Sequence, residues 1–358
     1  MLRSIIGPAV EPGAGILDAF PADRTDLCAS GRDAFARALE GLEIQRGARV
    51  LLPSYLCRSL LPPLRAVGVG WHLYAVDRAL RPRLDAIRAG LKDGADAVVL
   101  VHYFGAPGPA NEVAGLCREF GAALIEDAVH MPVPPTPVAV SPRHASIYSF
   151  AKWLAVPNGG AVIWQGQRPA GMIPGMAAPA GRTGFIRLAS IIANTLECLT
   201  GVGVRLRLLR VAGIRHRWSD RDESGMRQFG AAMSPLVRHV LTRTSLSQVI
   251  GGRRETYARL ERVVRGTRRA KTLFPELPGD MVPFTFPVLV EDRDAVLPRL
   301  QRRGINARVY WERLPSVAGD EDVGEAPWVS RRMLCLPVHQ GLSDAHVAHM
   351  ARELEALG

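Results

Sequence analysis

Between residues 30 and 165, short apolar runs of strand length alternate with stretches of helical periodicity, and this alternation constrains the chain more than any other feature. Runs such as 96–101 and 122–126 are apolar on both faces, which suits a strand covered on both sides. Strands of that kind with a helix between them build a parallel sheet sandwiched by helices. The expected order is a helix over 31–42 and strands over 49–52 and 70–75, with Pro62-Pro63 interrupting the helix between them. Next come a strand over 96–101, a helix over 109–120, the strand 122–126, and strands over 144–150 and 160–164. Residues 235 to about 272 read as a long Arg-rich helical region. A smaller unit follows: a strand over 284–290, a helix over 292–303 closed by Gly304, a strand over 306–310 and a helix over 344–357. The 358 residues thus divide into a large domain (1–226), a long connecting helix (227–279) and a small α+β C-terminal domain (280–358).

Lys152 stands out chemically. The chain holds three lysines against forty-two arginines, so its basic surface is built from Arg. Arg can replace Lys in most surface roles, but only a primary amine condenses with an aldehyde. Lys152 follows the run Ser146-Ile147-Tyr148-Ser149-Phe150-Ala151 and precedes Asn158-Gly159-Gly160. Twenty-five residues before it, the apolar run 122–125 ends in Glu126-Asp127. A parallel strand that ends in carboxylates delivers them to the carboxyl edge of the sheet, where open α/β folds bind ligands. Pyridoxal phosphate (PLP) needs an amine for its aldehyde and a carboxylate to keep its pyridine nitrogen protonated. Lys152 and Asp127 supply these. It also needs a phosphate cradle, and Ser30-Gly31 before a helix offers an N-cap, close backbone approach and free N–H groups.

These residues resemble the DegT/DnrJ/EryC1/StrS family of PLP-dependent sugar aminotransferases over most of the chain. Ser30-Gly31-Arg32-Asp33-Ala34-Phe35 is similar to the family's Ser-Gly-Thr-x-Ala-Leu, and Val50-Leu51-Leu52-Pro53-Ser54-Tyr55 to its strand ending in Pro-Ala-Tyr. Val101-His102-Tyr103-Phe104-Gly105 resembles Val-His-Leu-Tyr-Gly, and Glu126-Asp127-Ala128-Val129-His130 resembles Glu-Asp-Ala-Ala-His. The run 334–344 resembles Leu-Ser-Leu-Pro-Val-His-Pro-Gly-Leu-Thr-Asp. The resemblance implies the PLP-dependent transferase fold type I, with a large, mostly parallel seven-stranded-type sheet. It also implies Lys152 as the catalytic lysine, Asp127 at the pyridine nitrogen and His130 near the ring hydroxyl. Ser30, Gly31, Arg32 and Ser149 would bind the cofactor phosphate. No metal is implied.

Four positions depart from the family pattern. Arg32 stands where Thr or Ser is usual, and its guanidinium could meet phosphate or solvent. Cys57 replaces the aromatic that covers the cofactor ring, with Tyr55 as a substitute. Ser149 and Lys152 are closer by two residues than in Ser-Phe-x-x-x-Lys, which leaves Ser146 as a second phosphate candidate. Finally, Phe229-Gly230-Ala231-Ala232-Met233 lacks the Asn and Arg of Gly-x-Asn-x-Arg-Met, so either Arg227 and Gln228 replace them or substrate is handled differently.

The bulk properties exclude some classes. The net charge of +11 is unaccompanied by any nucleic-acid-binding motif, so no nucleic acid partner is expected. A positive field instead suits anionic nucleotide sugars. Five cysteines form no C-x-x-C pair, and with no basic-then-apolar leader they point to a reducing cytoplasm. The stretch 185–211 is amphipathic and basic but is interrupted below the ~18 apolar residues of a spanning helix. It is expected to pack on the body or a second subunit, with peripheral membrane contact the less favoured reading.

The expected activity is transfer of an amino group, from glutamate by resemblance, to a keto group of a nucleotide-linked sugar in polysaccharide or secondary-metabolite synthesis, by a homodimer. The alternatives are a PLP enzyme acting on a non-sugar carbonyl, and a catalytically silent scaffold or membrane-surface binder.

Overall fold

The computed structural model describes residues 15–134, 141–154, 156–166, 168–169, 229–274, 276–312, 314–315 and 322–357. The expected stretch at 185–211, Cys198, Arg227 and Gln228 lie outside these residues.

The large sheet contains β1 (Thr25–Cys28), β2 (Arg49–Pro53), β3 (Gly70–Tyr74), β4 (Ala97–Val101), β5 (Ala123–Asp127), β6 (His144–Ser149) and β7 (Gly160–Trp164), in the order β1-β7-β6-β5-β4-β2-β3. The pairs from β3 through β6 are parallel, and β7 runs antiparallel to both β6 and β1. Strands β4 through β7 are buried along their whole length, as the two-faced apolar runs require. Helices α1 (Gly31–Gly41), α2 (Leu61–Val67), α3 (Leu84–Lys92) and α4 (Ala110–Phe120) accompany them. Pro62 and Pro63 occupy the first turn of α2, where missing N–H groups cost nothing, so they begin the helix rather than interrupt it.

The long helical region divides into α5 (Pro235–Arg243) and α6 (Leu246–Arg265), with Ser234 and Ser245 each accepting a backbone N–H as N-caps. A second sheet has the order β10-β9-β8, from β8 (Ala270–Thr272), β9 (Phe286–Val290) and β10 (Met333–Leu336). With it pack α7 (Arg293–Arg302), α8 (Ala326–Arg332) and α9 (Asp344–Glu355). The strand expected over 306–310 is absent. Only Arg308 bridges, to Cys335, because Tyr310 and Trp311 turn away into the aromatic cluster described below.

Beside the outer edge of β1 lies the return segment before α5. The Ala29 N–H donates to the Ala231 carbonyl at 2.7 Å and the Met233 N–H to the Leu27 carbonyl at 3.3 Å, with Cys28 bridging Ala232. Cys28, Cys57, Cys117 and Cys335 are free thiols.

Candidate active site

Parallel strands that share a direction end on one edge, and that edge gathers the residues singled out in the sequence. Asp127 ends β5 and Ser149 ends β6, two residues beyond Ile147, the register partner of Asp127. Across the next two strands Ser149 pairs with Gly160, and Gly160 with Cys28. The chain leaving β1 therefore enters Ser30-Gly31 directly above Ser149.

This junction explains two glycine positions. A Cβ on Gly31 would lie 3.2 Å from Ser149 Cβ and 3.3 Å from Val129 Cγ1. On Gly160 it would lie 2.5 Å from the Ser30 carbonyl carbon and oxygen. Only bare backbone lets the turn before α1 approach the sheet so closely. Ser30 caps α1 by accepting the Asp33 N–H at 3.2 Å, and its hydroxyl donates to the Asp33 carboxylate. That carboxylate also accepts the Gly230 N–H at 3.2 Å, tying the return segment to the cradle. Arg32 is half-buried in the first turn and makes no hydrogen bond or ion pair among the described residues.

Ser146 is ruled out as a phosphate ligand by strand alternation. It pairs with Glu126 across β5 and β6, and its hydroxyl donates to Glu126 Oε1 at 3.0 Å on the face opposite Ser149.

Asp127 is buried, and its Oδ1 accepts the Val129 N–H at 3.2 Å. Burial pushes its carboxyl above the usual range, with the Lys152 amine, that N–H and His102 pulling partly the other way. A carboxylate this dry is unstable alone and gains from a cationic N–H such as a pyridinium. Lys152 lies at the end of a 3₁₀ turn, Phe150–Lys152, with Nζ 3.2 Å from His130 Nε2.

His130 is enclosed by aromatic rings, of which only Phe104 lies in a motif singled out in the sequence. Phe284 stacks on it at 4.3 Å and 9°, Trp311 at 5.5 Å and 8°, and Phe104 at 5.6 Å and 15°. Tyr310 meets it edge-on. Burial drives the imidazole well below its ordinary pKa, and the Lys152 amine adds to that. Its Nδ1 accepts the Phe104 N–H at 3.3 Å. Phe104 adopts φ 55°, as does Trp311, a left-handed conformation costing roughly 1–2 kcal/mol for a residue with a Cβ. Neighbouring contacts hold Phe104 there. Its carbonyl accepts the Phe284 N–H at 2.8 Å, and Gly105, at φ 94°, lies so close to the Val282 carbonyl that a Cβ would sit 1.9 Å from it. Tyr55 is fully buried and donates its hydroxyl to the Tyr310 carbonyl at 2.8 Å, a structural role rather than that of a ring cover.

Arg253 joins this wall to the lysine turn. Buried on α6, it donates to the carbonyls of Pro283 (3.3 Å), Phe284 (3.1 Å) and Trp153 (3.2 Å) and to Gln340 (3.1 Å), and it stacks on the Trp153 ring at 4.4 Å. No carboxylate pairs with it among the described residues. Of the other histidines, His102 bonds Glu126, and His339 accepts the Gly341 N–H in its own turn.

The residues fit PLP. An amine, a dry carboxylate and a backbone cradle passable only to glycine meet at one sheet edge. The arrangement can hold a phosphorylated heterocycle and place a base beside it.

Comparison with known proteins agrees with the geometry. A relative 27% identical, covering 91% of this chain and 82% of its own length, is the dTDP-4-dehydro-2,3,6-trideoxy-D-glucose 4-aminotransferase of Saccharopolyspora spinosa. The fold matches that of the aminotransferase TlmJ from Streptoalloteichus hindustanus, with a TM-score of 0.69, 22% identity, and coverage of 95% of this chain and 88% of TlmJ. It matches DesV of S. venezuelae with a TM-score of 0.68, 18% identity, and coverage of 98% and 91%. The family pattern itself matches residues 27–179 and 203–355, so the chain belongs to the DegT/DnrJ/EryC1/StrS aminotransferase family.

Proposed function

We propose that this aminotransferase uses PLP to move an amino group, from glutamate, to the keto group of a nucleotide-linked sugar. The observation that carries this reading is the convergence of Lys152 and Asp127 with the Ser30-Gly31-Ser149 junction on one sheet edge. The name of the S. spinosa relative supports the substrate class. The family's habit and the free thiols support a homodimer working in a reducing cytoplasm, with residues 1–226, 227–279 and 280–358 as its large domain, connector and small domain.

Ser30, the amides opening α1, and Ser149 would hold the phosphate, with Arg32 in the same turn as a further cationic ligand. Asp127 would take the ring nitrogen, and His130 Nε2 would face the ring hydroxyl. The bound cofactor supplies an electron sink for the carbanion formed when a proton leaves the donor's α-carbon. Lys152 Nζ takes that proton and returns it to the acceptor carbon. The wall of Phe104, Phe284, Tyr310 and Trp311 shields the His130 side of this exchange from water.

Purified protein supplied with PLP should develop a visible absorption band, and Lys152→Ala should lose it. Glutamate should discharge the band, and a dTDP-keto-sugar should restore it. A colourless protein indifferent to PLP would overturn the reading. One observation favours a second acceptor class. The segment that lacks the usual Asn and Arg is committed to β1 and Asp33. Including non-sugar aldehydes and keto acids in the acceptor panel separates the two.

A further inference from the structure

We infer that Gln340 is a positioning residue for Lys152, acting through Arg253 and Trp153. The inference deepens the proposed function and rests on it for the reaction that Lys152 serves. Lys152 is exposed and its side chain is long, so the amine comes to lie 3.2 Å from His130 Nε2 only if the turn that carries it is placed first. A small misplacement of such a group costs much of its effect.

Trp153 places that turn. Its backbone N–H donates to the Phe150 carbonyl at 2.9 Å and closes the 3₁₀ turn. Its indole Nε1–H donates to the Val129 carbonyl, one residue before His130, at 3.3 Å. Its own carbonyl accepts from Arg253 Nη2 at 3.2 Å, and its ring lies against the same guanidinium at 4.4 Å.

The rest of the guanidinium holds the wall. Nη1 donates to the carbonyls of Pro283 and Phe284, and the Phe284 ring stacks on His130 at 4.3 Å. One planar group thus fixes both the residue after Lys152 and the residue that packs on His130, joining the large sheet to the second. A rigid fork reaches all three carbonyls at one rotation only. Gln340 sets that rotation, because its Oε1 accepts the remaining Nε–H at 3.1 Å. The turn that presents Gln340 is itself fixed. The Gly341 N–H donates to His339 Nδ1 at 3.2 Å and the Leu342 N–H to the His339 carbonyl at 3.1 Å. In the motif that the run 334–344 resembles, this place is held by Pro, which offers Arg253 no side-chain acceptor, so the fastening belongs to this chain.

The scarcity of lysine makes the inference measurable without activity or cofactor. In the cofactor-free full chain labelled with ¹³C-lysine, three sets of ε-methylene signals are expected, and Lys152→Arg identifies one. The two ε protons of Lys152 should be separate, since the amine is held in one place, while those of the exposed Lys92 and Lys271 should coincide. Gln340→Leu, at a half-buried position, should merge the Lys152 pair. Gln340→Glu, which keeps an acceptor for Arg253, should leave it separate. The Trp164 indole N–H, bonded to Asp26 Oδ2 at 3.0 Å beside the start of β6, is the control and should not move. A pair already merged in the unmodified chain, or one still separate in Gln340→Leu, would overturn the inference. Movement of the Trp164 signal together with Lys152 would mark general loosening and equally defeat it.

A second readout uses the holoenzyme. After removal of PLP, Gln340→Leu should regain the visible band at least threefold more slowly than the unmodified chain, and Gln340→Glu within twofold of it. Equal rates in all three would count decisively against the inference. Absence of any band in the unmodified chain would instead defeat the PLP reading, and the lysine signals would then decide the inference alone.

Discussion

Glu126 and Asp127 are neighbours on one strand that point to opposite faces of the sheet, and the protein treats their charges in opposite ways. Glu126 accepts from His102 at 2.9 Å, His144 at 2.7 Å and Ser146 at 3.0 Å. Asp127 has one backbone N–H. Burial pushes both carboxyls up, but the bonds from His102 and His144 hold Glu126 below the usual carboxylate range, while Asp127 stays above it. One is a finished structural anchor, and the other is left for a ligand.

Glu126 should govern acid stability. Its folded carboxyl is depressed, so its contribution is complete above the unfolded value near 4.5 and is lost as pH falls toward the lowered one. Glu126→Gln should cost about 3 kcal/mol at pH 7, and less at pH 3. Urea melts at the two pH values measure the difference.

Asp127 should show the reverse. A raised carboxyl in the folded state costs stability increasingly as pH climbs past its ordinary 3.8. Asp127→Asn should therefore raise the melting temperature of the cofactor-free protein at pH 8 by about 1–2 °C, about 1 kcal/mol. It should also weaken PLP binding by about 100-fold or more, a loss of roughly 3 kcal/mol. Thermal melts with and without PLP resolve both effects.

Gly31 and Gly105 should fail differently. Gly31→Val overfills the contact with Ser149 and Val129, costing about 1–3 kcal/mol and most of the PLP affinity. Gly105→Ala meets the Val282 carbonyl at a positive φ and should cost 3 kcal/mol or more without touching the cradle. Denaturant melts and PLP titrations of the two variants separate the effects.

Arg253→Lys keeps the charge but loses the planar fork that spans three carbonyls. We expect about 2–4 kcal/mol of destabilisation. A slower regain of the visible band after PLP removal should accompany it, because the Trp153 carbonyl beside Lys152 is released. Stopped-flow absorbance checks the second effect.

The alternating pattern revealed the large sheet because strands buried on both faces leave unbroken apolar runs, as at Ala97–Val101. It missed β1, whose Thr25 and Asp26 look like loop. Asp26 is buried only because Arg37, Trp164 and Arg168 bond it, and no local period encodes contacts with residues so distant. Lys152, Asp127 and Ser30-Gly31 could be singled out as candidates because their chemistry is local to strand ends and a helix start, and the structure gathers them on one sheet edge. Phe284, Tyr310 and Trp311 could not, since aromatic residues far along the chain reach His130 only through tertiary packing. Strand parity could have separated Ser149 from Ser146 beforehand: three residues apart on one strand, they face opposite ways.

A seven-stranded sheet has two rims at which foreign chains could add a strand and seed polymers. The peptides of Ala231 to Met233 already occupy the end of one of them, acting as a built-in blocker for Leu27 and Ala29. The other rim is five residues long, and an arginine lies over its Trp71. A further strand therefore cannot be added to β1 at Leu27 and Ala29, and growth of the sheet from that rim is closed off.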